Sequence, residues 1–108
     1  MVFGSIISFP RGTLSPQQAL KLANVYLDNA YNENDSDIAL VLCHDTEISL
    51  SQARKTVRHA EDQSVIGQIA IAYMDLGNLL ESQGHPNEAN VSYKKAMKLE
   101  YEWEMLAR

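Results

Sequence analysis

Three times along this chain a small residue, a larger one and a small one recur at the spacing of a single helix face. The copies are Ala23-x3-Leu27-x2-Ala30, Ala53-x3-Val57-x2-Ala60 and Ala89-x3-Tyr93-x2-Ala96. They start 30 and 36 residues apart, an average of 33. Alanines at the outer positions let two helix backbones approach closely, and the larger middle residue fills the space beside them. A chain that repeats this pattern is directed towards helices packed on helices. Composition agrees: 5 Gly and 3 Pro are too few to punctuate a turn-rich β fold.

Helix signals run through most of the chain. Ser15 followed by Pro16 is an N-cap with Pro at the first helical position. Ala19, Leu22, Ala23, Tyr26, Leu27 and Ala30 then predict an amphipathic helix to about Asn32. After the polar break Asn34–Asp37, a second helix is expected from Asp37 to about Ile48. Ser49-Leu50-Ser51-Gln52 has the form of a capping box and predicts a third helix from Leu50 to about Glu61. Fusion of the second and third into one long helix is the alternative. A fourth helix runs through Ile66, Ile69, Ala70, Tyr73, Leu76, Gly77 and Leu80 to about Gln83. Gly84-His85-Pro86 stops it and starts a fifth, to Leu99. Tyr101–Arg108 begins a terminal helical stretch. Residues 1–14 stand apart. Val2–Phe9 is apolar but lacks the basic start and cleavage site of a secretory signal, so this segment is read as an apolar N-terminal arm.

The last copy of the triplet carries more than spacing. Tyr73-x2-Leu76-Gly77, then Leu80, Gly84, Ala89, Tyr93 and Ala96, resembles a tetratricopeptide repeat. Tyr73 stands where that family most often has Trp, Leu80 where Tyr is usual, and Tyr101 where Pro is frequent. The resemblance covers residues 70–101 well and 34–62 weakly; 15–33 offers a lone helix with the triplet. It implies an all-α fold in which antiparallel helical hairpins stack as a short α-solenoid, of about five helices plus a terminal helix over residues 15–108. A plain helical bundle lined by alanines is the alternative. Gly77 would give the crossing helix room. Two and a half repeats lie near the lower limit for independent stability, so self-association would help, and the end near Trp103, Met105 and Leu106 is the expected sticky surface.

Chemistry has no evident seat. Cys43-His44-Asp45 places three reactive side chains in a row, but neighbours on a helix point about 100° apart and form no relay. Cys43 is expected to be a small core residue. His44 and Glu47 could offer two metal ligands, with no second pair to complete a site. There is no phosphate loop, nucleophile elbow or His-Glu-x-x-His. The chain is therefore expected not to be an enzyme and to need no metal or cofactor.

The remaining class is interaction. Net charge is -5, a poor start for nucleic acid binding, and no apolar run suits a membrane span. One cysteine suits a reducing, cytoplasmic setting. Arg54, Lys55, Arg58 and His59 form one basic cluster, and Lys94, Lys95 and Lys98 another. A solvated helix face is the ordinary reading; a stripe for an acidic peptide is the sharper one. Tetratricopeptide domains usually bind peptides on the concave surface of their first helices. That resemblance points to Ile71, Met74, Asp75 and Asn78. Asn78 matches the Asn of a known carboxylate clamp, but Met74 stands where the clamp Lys would be, and the weaker repeat has Ile38 and Leu42 there. The expectation is a scaffold or adaptor module binding another protein or peptide. The alternative is an oligomerisation module using the arm and the open C-terminal end.

Overall fold

The computed structural model describes residues 14–58 and 63–106. These form four helices: α1 (Pro16–Asn32), α2 (Ser36–Thr56), α3 (Gln63–Ser82) and α4 (Pro86–Leu106), with no strand among the described residues. The fold is all-α. Of the N-terminal arm only Leu14 is described, and it packs partly buried against the core; residues 1–13 lie outside the described residues.

Local chemistry fixes the helix starts. Ser15 Oγ accepts the Gln18 N–H at 3.1 Å while Gln18 Oε1 accepts the Ser15 N–H at 3.0 Å, a capping box ahead of Pro16. Asp35 caps α2 through the N–H groups of Asp37 (2.9 Å) and Ile38 (3.2 Å). Caps of this kind contribute about 1 kcal/mol each.

The helix count differs from expectation in two places. The predicted second and third helices are one. Buried Ala39, Cys43, Thr46, Leu50 and Ala53 recur at alternating steps of four and three straight through the proposed break. No Gly or Pro interrupts them, so the Ser49–Gln52 signature caps nothing and Ser49 is buried inside α2. That helix ends at Thr56 rather than near Glu61. Val57 is its C-cap, with extended backbone (φ −68°, ψ 118°), so it is not a helix-face residue. Ala60 lies outside the described residues. The fifth helix and the terminal stretch are also continuous: no Gly or Pro follows Pro86 within α4, whose buried series is Ala89, Ser92, Ala96 and Leu99.

The four helices make two hairpins. Glu33-Asn34-Asp35 joins α1 to α2, and Gln83-Gly84-His85 joins α3 to α4. The second turn is a Schellman cap. The His85 N–H reaches Leu80 O at 2.9 Å and the Gly84 N–H reaches Glu81 O at 3.1 Å. Gly84 supplies the left-handed backbone this needs, at φ 87°. The hairpins begin at Pro16 and Gln63, so their spacing exceeds the 33-residue average of the triplets. Ala23, Leu27 and Ala30 are buried on the first helix of one hairpin; Ala89 and Ala96 are buried on the second helix of the other. The triplet therefore marks faces of close approach, not one position in a repeat.

Two glycines set the pairing of α3 with α4. A Cβ on Gly77 would lie 2.5 Å from Tyr93 Cε1, and one on Gly67 would lie 3.3 Å from Trp103 Cε2. Moving back along α3 matches moving forward along α4, so the pair is antiparallel. α3 also packs on α1 and α2. Leu50, Ile66, Ile69 and Leu76 are fully buried where these helices meet.

Gly77→Ala tests the closest approach. Alanine ordinarily stabilises a helix interior by about 1 kcal/mol over glycine. Here the added methyl must displace the Tyr93 ring, so we expect net destabilisation of about 1–3 kcal/mol in urea unfolding. An unchanged or raised midpoint would show that the ring does not rest on Gly77.

Candidate functional site

α2 and α4 run in the same direction, bridged by side chains that advance together. His44 Nε2 meets Glu88 Oε2 at 2.9 Å, Lys95 pairs with Glu47, and Arg54 pairs with Glu102. The Arg54 contact is two-pronged, its Nε also donating to Glu102 Oε1 at 3.3 Å. Glu47 additionally accepts the Tyr73 hydroxyl at 3.1 Å, and Lys95 Nζ lies 5.7 Å from the Tyr73 ring centroid. Glu47, Tyr73 and Lys95 thus tie α2, α3 and α4 at one point.

Beyond this tie, towards the C-terminal ends of α2 and α4, opens a groove of about 830 Å³. Its apolar lining includes Val57, Leu99, Tyr101, Met105 and Leu106. Arg54, Lys55, Arg58, Lys95 and Lys98 line it, five of the chain's nine Lys and Arg. Among the described residues Glu102 is the sole acid that lines it, and it is held by Arg54. Lys55, Arg58 and Lys98 form no ion pair among the described residues. Five of the seven residues in the two predicted basic clusters, Arg54, Lys55, Arg58, Lys95 and Lys98, thus converge on one groove; His59 lies outside the described residues, and Lys94 is not among the described lining.

The four residues expected to bind a partner lie elsewhere and together. Ile71, Met74, Asp75 and Asn78 are exposed on one side of α3. Ile71, Met74 and Asp75 share a hollow of about 370 Å³ with Gly67, Glu100 and Trp103. Asp75 and Asn78 border a second hollow, of about 400 Å³, with Asp28 and Tyr31 of α1. Among the described residues no Lys or Arg lines either hollow. Asn78 has a packing duty too: its Oδ1 lies 2.8 Å from the Tyr93 hydroxyl, which is equally close to Glu81 Oε1. The Glu81 hydrogen bond is the main cause that raises the Tyr93 pKa.

The expected repeat-packing residues Tyr73, Leu76, Gly77 and Leu80 are buried on α3; Ala89 and Ala96 are buried on α4, and Tyr93 is partly buried against the core. Sequence reading missed Gly67, whose partner Trp103 lies in a stretch treated as a separate helix. It also missed the Arg54–Glu102 pair, because nothing in a single helix pattern shows that α2 and α4 are neighbours.

The possible catalytic and metal residues disperse. Cys43 is buried, and its thiol is pushed up to about 11, by desolvation first and by the Glu88 carboxylate second. A protonated buried thiol is a poor nucleophile. His44 turns to Glu88, whereas Glu47 turns to Lys95 and Tyr73. Glu88 also lies 3.8 Å from His85 Nδ1. Among the described residues no three His, Cys, Asp or Glu side chains gather as a metal site requires. No described helix is long and apolar enough to cross a membrane.

No family model, curated protein or solved structure matches the chain.

Burial makes stability depend on alkaline pH. Burial, followed by the charge and hydrogen bond of Glu47, also raises the Tyr73 phenol above its ordinary 10.0. Both groups hold their protons more tightly when folded. Their contribution is therefore complete below the ordinary thiol value of 9.0 and falls as pH climbs towards 11. Urea midpoints should be level up to about pH 9 and decline above it, with Cys43→Ala removing the thiol's share. A midpoint that rises over this range would contradict the assignment.

Proposed function

We propose that this chain is a protein-interaction module, a scaffold or adaptor domain whose two hairpins form a short tetratricopeptide-like stack. The Tyr93–Gly77 approach and the buried Ala89 and Ala96 support that likeness. A cytoplasmic setting belongs to the same reading, in keeping with the free thiol of Cys43. The partner surface is the groove between the C-terminal ends of α2 and α4. The observation that carries this reading is the concentration of five of nine cations around an apolar lining in a chain of net charge -5. Such a site favours an acidic segment with apolar side chains. Apolar contacts supply affinity, while Lys55, Arg58 and Lys98 supply steering and selection by charge.

A labelled synthetic peptide alternating Leu or Phe with Asp or Glu tests the groove by fluorescence anisotropy. It should bind, and a counterpart with Lys for each acid should not. Replacing Lys55, Arg58 and Lys98 together by Gln should weaken binding by about tenfold or more, and added salt should mimic the loss. Equal binding of both peptides, or no effect of the triple substitution, would overturn the proposal.

A further inference from the structure

The proposed groove has a complement on the same molecule. The exposed side of α3 carries Asp75 and, across its flanking hollows, Asp28 and Glu100. Its apolar members are large and open to solvent: Ile71 is 64% exposed, Trp103 41% and Tyr31 77%. Among the described residues this surface has acidic and apolar groups without a lining cation, as the groove has basic and apolar groups with its single acid already paired. The two surfaces also look apart. Tyr73 lines the groove, while Ile71, Asp75 and Asn78 sit about 140–200° around the α3 axis from it, at about 100° per residue. Neither surface complements itself, since each would set like charges face to face. A two-fold pairing of identical patches is therefore disfavoured, and a heterologous contact is favoured.

We propose that the basic α2–α4 groove receives the acidic α3 face of a second copy, so that the chain stacks head to tail. This rests on the reading that the groove binds an acidic, apolar protein surface, and it names that surface. Each contact leaves one groove and one α3 face unoccupied, so growth continues beyond a dimer. Ile71 and Trp103 supply apolar contact area, while Asp75 and Glu100 face Lys55, Arg58 and Lys98. The four residues assigned from sequence to a partner surface, Ile71, Met74, Asp75 and Asn78, lie on the inserted face.

Light scattering on the full chain and two variants tests this. The groove variant carries Lys55→Gln, Arg58→Gln and Lys98→Gln; the face variant carries Ile71→Gln, Asp75→Gln and Glu100→Gln. All six positions are exposed, and far-ultraviolet circular dichroism verifies that each variant is folded. The unmodified chain should gain mass with concentration, past the dimer, and lose it in high salt. Each variant alone should remain monomeric. Their equimolar mixture should form a one-to-one dimer and nothing larger, because one intact groove meets one intact face. A chain that stays monomeric at every concentration overturns the inference, as does a mixture that fails to pair. If the monomer still binds the acidic probe peptide, stacking fails and the groove reading stands. If peptide binding is lost as well, both fail.

Discussion

α4 can lie where it does because residue 77 has no side chain. The Tyr93 ring occupies the space a Cβ would fill, and its position fixes the separation and register of α3 and α4. Ten residues further along α4, Trp103 rests on Gly67 in the same way, though less tightly. Two aromatic-on-glycine contacts thus hold the hairpin at both ends. Everything later in α4 inherits that register. It sends Lys95 towards Glu47 and Tyr73, brings Leu99 into the core, and leaves Lys98 and Tyr101 at the groove. A shift of one residue along the helix would turn each side chain by about 100° and scatter the set.

Charge is distributed against the average. The chain is acidic overall, yet most of its cations gather where α2 and α4 end. Part of this gathering is structural: Arg54 and Lys55 lie in the last turn of α2, where cations oppose the helix dipole. That effect does not account for Lys95 and Lys98, which lie in α4 ahead of its last turn. Nor does it account for the apolar lining beside them. The proposed interaction site would account for both features together, and the acidic, apolar side of α3 is a surface of the complementary kind.

The sequence made the hairpin of α3 and α4 legible because its signals are local. Gly84-His85-Pro86 allows few backbone solutions, and the resemblance to a known repeat assigns Gly77 to make room for a crossing helix; that Tyr93 fills the room is seen only in the structure. The first half read less well. A Ser-x-x-Gln pattern can cap a helix but cannot end the one before it, and without Gly or Pro the periodicity of Ala39 to Ala53 prevails. The basic clusters were visible residue by residue. Their meeting was not, because it depends on α2 and α4 lying side by side, a relation between segments more than 40 residues apart in sequence, as His44 and Glu88 are. Ile71, Met74, Asp75 and Asn78 came from the resemblance to a known repeat, and the structure exposes all four on α3; their acidic neighbours Asp28 and Glu100 come from other helices.

The central claim is that the basic, apolar groove is the contact surface for an acidic partner. Backbone amide shifts of the monomeric face variant (Ile71→Gln, Asp75→Gln, Glu100→Gln), followed by nuclear magnetic resonance while the acidic probe peptide is titrated in, test it most directly. The account predicts changes concentrated at residues 51–58 and 95–106, with Ile71–Asn78 little altered. Changes confined to the Ile71–Asn78 face, with the groove amides unmoved, would contradict it.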